Sequence, residues 1–105
     1  QQDVYASTVG GVRLVEPGLD LAVCLAVVSA IRDRPLPPDL VAFGEIGLGG
    51  EIRQVAHTPR RFNEAGRLGF RRVIAPGNSP APDRDGLRVL RVATLPEALA
   101  AAGLV

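Results

Sequence analysis

Six arginines fall between positions 53 and 72 of this 105-residue chain: Arg53, Arg60, Arg61, Arg67, Arg71 and Arg72, with Glu64 the one acid among them. Guanidinium forks match phosphate oxygens, and a contact set made only to phosphates reads no base sequence and weakens with salt. The chain's net charge of +1 hides this segment, because the remaining positions carry six Arg against ten acids. Arg13, Arg88 and Arg91 are further candidates. With one Tyr and three Phe there is little to stack bases on. The same run also fits a plain solvated face. It fits equally a structural oligomerisation domain, whose Arg would pair with Glu16, Asp20, Asp33 or Asp39 of a neighbouring copy in a head-to-tail ring.

Other chemistries have less support. All twelve basic residues are Arg. Without Lys the chain holds no Walker-type phosphate loop, no Schiff base and no Ser–Lys dyad. Ser7, Ser29 and Ser79 share one histidine with no triad spacing. That histidine, His57, precedes Thr58 and reads as a surface or capping residue, since no Cys or second His accompanies it to hold a metal. Cys24 reads as a small buried thiol, and a single Cys gives no disulfide or cysteine-rich zinc site within the chain. Gly44, Gly47, Gly49 and Gly50 lack the spacing of a dinucleotide fingerprint. The alternation over Glu51–Val55 makes that stretch a hairpin with a glycine-rich bend.

The elements that must position these residues follow from patterning. Leu21 to Ile31 is apolar except for Ser29, on every side of a 3.6-residue turn. That predicts a buried helix at the centre of the core, with a charge at Val23 or Val27 unfolding the domain. Pro17 and Asp20 suit its first turn. Val4–Val9 and Val12–Val15 flank Gly10-Gly11, a hairpin signal. Pro35, Pro37 and Pro38 make a linker, and a strand from Leu40 runs on toward Ile46. Thr58 as N-cap and Pro59 at the first position open a second helix, with Phe62, Ala65 and Gly66 inward, Arg60, Asn63 and Arg67 outward, and Gly69 at its end. Strands over Arg72–Ala75 and Leu87–Val92 follow. Thr94 and Glu97 have capping-box spacing for a last helix that Gly103 ends.

The predicted order is ββα-ββα-ββα: one α/β (α+β) domain over residues 1–105, with a mixed sheet and about three helices. The central helix is too short to span a bilayer. Neither a signal peptide nor an initiating Met is visible, so the chain reads as a piece of a longer protein.

Glu16-Pro17, Asp20-Leu21-Ala22, Asp33-Arg34-Pro35-Leu36-Pro37, the run Phe43 to Arg53 (FGEIGLGGEIR) and Leu68-Gly69-Phe70 carry a resemblance. They resemble the C-terminal domain of the RadA (Sms) family of bacterial DNA-repair proteins, itself similar to the proteolytic domain of Lon. The match runs from about Val4 to Pro76. It implies a Lon-like two-layer fold at the C-terminus of a RecA-like ATPase. In Lon-type proteases a Ser nucleophile opens the equivalent helix and a Lys base lies near the start of the next. Gly18 and Pro59 stand at those places here. The resemblance therefore implies no catalytic residues, so an active peptidase is a remote alternative. It implies a scaffold for a hexameric ring and for sequence-independent contact with single-stranded or branched DNA, through Arg53, Arg60, Arg61, Arg67, Arg71 and Arg72. No cofactor is expected in this domain, with ATP, Mg and Zn belonging to the missing N-terminal part of a DNA-dependent ATPase. The expected location is the bacterial cytoplasm, with no membrane partner.

Overall fold

A computed structural model of the chain describes residues 8–9, 12–13, 17–82 and 86–105. Its elements are β1 (Thr8–Val9), β2 (Val12–Arg13), a 3-10 turn (Pro17–Leu19), α1 (Asp20–Arg32), β3 (Leu40–Ala42), β4 (Glu45–Ile46), β5 (Ile52–Arg53), α2 (Thr58–Arg67), β6 (Arg72–Pro76), β7 (Arg88–Val92) and α3 (Leu95–Ala101). The expected α/β class and three helices are present. The two-residue connection between β1 and β2 is too, with Val9 opposite Val12 and Thr8 opposite Arg13. The outer parts of that expected hairpin, Val4–Ser7 and Leu14–Val15, lie outside the described residues, as does Glu16.

The organising element is β6. Its five residues form the middle strand of a parallel sheet in the order β3-β6-β7. Val73, Ile74, Ala75 and Pro76 are all buried, the near-continuous apolar run expected of a strand covered on both faces. Alternation sorts them into two cores. Ile74 packs with Leu21, Leu25, Ala42, Ile52, Val92, Ala98, Ala102 and Leu104, under α1 and α3. Val73 and Ala75 point the other way, to Phe43, Phe62 and Leu87 under α2. Helices thus cover both faces of the sheet, giving three layers where the resemblance implies two.

The finer order also differs. The single strand expected from Leu40 toward Ile46 breaks at Gly44. The Phe43 N–H still bonds to the Ile74 carbonyl at 3.0 Å. Both backbone groups of Gly44 then turn to the start of α1, its N–H to the Gly18 carbonyl (2.9 Å) and its carbonyl to the Leu21 N–H (3.0 Å). The second unit is therefore βββα. Among the described residues the strands form, rather than one mixed sheet, a parallel sheet with separate antiparallel pairs, β1-β2 and β4-β5. The β4–β5 hairpin is fastened beside the end of β7 by Ile52 N–H to Ala93 carbonyl and Leu95 N–H to Gly50 carbonyl, both 2.8 Å.

The largest correction concerns α1. Among its residues only Leu21 and Leu25 are buried, while Val27 is 44% and Ile31 77% exposed. It is a half-exposed helix despite its all-round apolarity. The physical reason is that the short sheet offers it one side only, the opposite face being taken by α2. Cys24 is half-buried on it, and that partial burial pushes its thiol pKa up. Asp20 in the first turn has a tertiary role besides its favourable place in the dipole: its carboxylate accepts the Ile46 N–H at 3.3 Å, holding β4 to the helix.

Candidate nucleic-acid interface

The basic segment is built around α2. Phe62 and Ala65 are buried and Arg60, Asn63 and Arg67 exposed, as the spacing predicts. Its start is one residue earlier than expected. His57, exposed and in the left-handed conformation (φ 62°), holds the N-cap position, and Thr58 is the first helical residue. Thr58 is buried and its hydroxyl donates to the Val55 carbonyl at 3.1 Å, so it closes the preceding turn instead of capping the helix. The helix stops at Gly69, whose φ of +95° lets the Phe70 N–H return to the Ala65 carbonyl at 3.0 Å.

Among the described residues, Arg72, Arg67 and Arg53 are bound to acids of the chain itself. Arg72 grips Asp39 with both arms of its fork, at 2.7 and 3.2 Å, and holds that carboxyl below its ordinary pKa. Arg67 pairs with Glu64 one helical turn back, lowering the Glu64 pKa in the same way. Arg53 binds one oxygen of Glu51 through two nitrogens, at 2.7 and 3.1 Å. Glu51 is held below its ordinary pKa first by its own backbone N–H and then by Arg53.

The others are arranged differently. Arg61 donates its Nε to the Ala56 carbonyl at 2.8 Å and lies over the Phe43 ring, 5.7 Å from its centre. That contact sets the guanidinium against the aromatic face. Arg60 and Arg71 are exposed, and neither side chain has an ion-pair or hydrogen-bond partner among the described residues. The structure brings Arg60 and Arg61 together on an open cavity of about 420 Å³, whose described lining also includes His57 and Glu64. Glu64 on that lining is paired to Arg67. Arg91, one of the further candidates, is spent on holding the loop after β6, donating to the Ser79 and Pro80 carbonyls at 3.1 and 3.2 Å.

Some of these partners were open to sequence reading. Glu64 and Arg67 are at i and i+3 on a helix, and Glu51 and Arg53 share one side of a strand. Asp39 for Arg72 and Phe43 under Arg61 carry no local signal, being set by the β3-β6 register and by α2 packing on β3. The two positions that the resemblance sets opposite the Lon-type nucleophile and base, Gly18 and Pro59, are among the described residues. Gly18 is buried in the 3-10 turn, its carbonyl taken by Gly44, and Pro59 is exposed in the first turn of α2. Among the described residues, no three His, Cys, Asp or Glu side chains gather as a metal site, and no helix is long and apolar enough to cross a membrane.

Sequence comparison finds proteins similar to this chain. No family model matches the chain. Individual proteins do. It is 50% identical over 99 residues to the DNA repair protein RadA of Escherichia coli K12, which covers 93% of this chain and 22% of that protein. The RadA of Mycobacterium tuberculosis H37Rv is 47% identical over 98 residues, 92% of this chain. That of Streptococcus pyogenes MGAS315 is 43% identical over 102 residues, 95% of this chain. The chain is a homologue of one segment of RadA. It spans about a fifth of the length of these relatives, in keeping with a RadA C-terminal domain. The matched stretch of this chain takes in its glycine-rich hairpin and α2.

Proposed function

We propose that this chain is a non-proteolytic, Lon-like domain of a RadA-type DNA-repair protein, contributing phosphate contacts to DNA and supporting assembly of a ring. The observation that carries the reading is Arg60, exposed on the open cavity at the start of α2 and with no ion pair or hydrogen bond among the described residues, with Arg61 beside it. Arg71 lies just beyond the same helix. These three are the primary contacts. Arg53, Arg67 and Arg72 are secondary, because each would have to share or leave an internal carboxylate. Those internal pairs also weigh against the purely structural alternative, in which the arginines answer acids of a neighbouring copy. Glycine and proline at positions 18 and 59 supply neither a nucleophile nor a base, which supports a scaffold over a peptidase. By the same resemblance, ATP, Mg and Zn belong to the N-terminal part of a DNA-dependent, hexameric ATPase that promotes branch migration, and its place is the bacterial cytoplasm.

The test is a salt titration of DNA affinity in the full-length protein. Replacing Arg60 and Arg71 together by Ala should weaken binding to mixed-sequence DNA. It should also flatten the slope of log K against log salt by about 0.7–0.9 for each phosphate that the variant no longer neutralises. Arg72→Ala should change the slope less. An Arg60/Arg71 variant whose affinity matches wild type at every salt concentration would overturn the assignment.

A further inference from the structure

Basic charge has a second centre at the far end of α2. The strands β3, β6 and β7 run parallel, so all three begin at one edge of the sheet. α2 leads into that edge through Gly69 and Phe70. Its own start, with Arg60, is one helix length away, about 15 Å for ten residues. At the edge, Arg71 and Arg72 stand at the head of β6 and Arg88 at the head of β7. Arg72 lies directly opposite Arg88 in the register, and the Arg88 N–H donates to the Arg71 carbonyl at 2.8 Å.

Among the described residues, one carboxylate serves these three guanidinium groups. Asp39, just before β3, is gripped by Arg72, and the nearby charge of Arg71 adds to the lowering of its pKa. The Asp39 carbonyl also accepts the N–H groups of Arg71 and Arg72, at 3.0 and 3.1 Å, which fixes it against the head of β6. Arg71 and Arg88 are exposed, and neither side chain has an ion-pair or hydrogen-bond partner among the described residues. Neighbouring strands lie about 4.8 Å apart, and like charges directly opposite each other repel. A phosphate set between the heads of the two strands would relieve that repulsion, and guanidinium forks match its oxygens. Arg91, on the same strand as Arg88, has no such place, being held to the loop after β6.

We propose that this edge is a second phosphate-binding surface, at which Arg88 and Arg71 take backbone phosphates of double-stranded DNA while Arg60 takes others at the start of α2. Contacts held a helix length apart on a packed frame suit a partner whose own phosphates are fixed in space. A duplex is such a partner, being stiff over about 50 nm. Single strands are flexible and are held largely by stacking bases on aromatic faces. Of the described aromatic rings, Phe43 and Phe62 are buried and Phe70 is half-buried, so none stands out as a stacking platform. The proposal rests on the DNA part of the proposed function and adds to it Arg88, this edge and the duplex.

The experiment is a salt titration of the full-length protein on a mixed-sequence duplex and on a single strand of the same length. Arg88→Ala should flatten the duplex slope of log K against log salt by about 0.9 and weaken duplex binding about fivefold near 0.15 M salt, the loss of one phosphate contact. On the single strand the loss should stay below about twofold. Arg88→Lys should keep the wild-type slope, since it keeps the charge. Without DNA, Arg88→Ala should melt no lower than wild type, because the side chain has no partner in the fold. If Arg60→Ala weakens duplex binding and Arg88→Ala does not, this edge is overturned and the DNA reading stands. If neither weakens it, both fall. Equal losses on duplex and single strand would overturn the choice of duplex. An Arg88→Ala protein that melts lower, with affinity that Arg88→Lys does not restore, would make Arg88 structural and overturn the contact.

Discussion

Gly44→Ala is the sharpest perturbation of the junction on which the fold turns. Gly44 is buried where β3 leaves the sheet, and both its backbone groups are bonded to the start of α1. An added Cβ would sit 2.8 Å from Ile52 Cγ2, with Leu21 Cδ2 at 3.6 Å and Pro76 Cγ at 3.7 Å. Two of these are ordinary contacts, and the first is an overlap that something must relieve. The backbone cannot retreat without stretching the bonds to Gly18 and Leu21, so Ile52, itself in the core, has to move. Overpacking of this kind costs about 1–3 kcal/mol. Replacing glycine also restricts the unfolded chain, which returns about 0.4–1 kcal/mol. The net loss is about 1–2 kcal/mol, or roughly 5–15 °C in melting temperature for a domain of this size. Thermal and urea unfolding of Gly44→Ala against wild type measures it. Ile52→Leu removes the branch at Cβ that the new methyl meets, so the double variant should recover part of the loss and show a coupling. A Gly44→Ala chain as stable as wild type, or one that Ile52→Leu does not help, would refute the claim that this contact is closed.

The two sides of α1 should behave differently in the same assay: Leu25→Ala loses about 2–5 kcal/mol as a buried truncation, whereas Val27→Ser changes stability by about 0.5 kcal/mol or less. Equal losses at both positions would return α1 to the all-buried placement. Acid should act partly through Asp39. Its folded-state pKa is depressed, chiefly by the Arg72 hydrogen bonds, so its stabilising contribution is full above the ordinary carboxylate value. That contribution is lost as pH falls through the lowered folded value, from about pH 4 downward. Asp39→Asn should therefore show a shallower decline of the urea midpoint over that range, and an identical decline would exclude the pair as a contributor.

Much of this domain is legible in its sequence because the relevant signals are local. The capping residues at α3 engage, with one bond displaced by a residue: the Thr94 hydroxyl accepts the Glu97 N–H at 3.4 Å as spelled, and the Glu97 carboxylate takes the N–H of Ala93, just before the N-cap, at 2.7 Å. Gly69 and Gly103 end their helices at positive φ, which glycine adopts without a Cβ penalty. The faces of α2 followed from periodicity, since its apolar residues occupy one stripe. Periodicity failed at α1 because a helix apolar all round states no preferred side. Which side is buried depends on how many layers surround it, and that is a property of the sheet.

The candidate site divides along the same line. The sequence alone determines that the chain has no lysine, that basic charge is concentrated between Arg53 and Arg72, and that a glycine-rich hairpin precedes α2. These are matters of residue type and short-range order. Tertiary structure decided which partners several of those arginines meet. Arg72 meets Asp39 only because β3 and β6 pair in parallel with Leu40 opposite Arg72, and Arg61 meets Phe43 only because α2 crosses the end of β3. Ion pairs between residues far apart in the chain depend on register and packing, which local patterning does not encode.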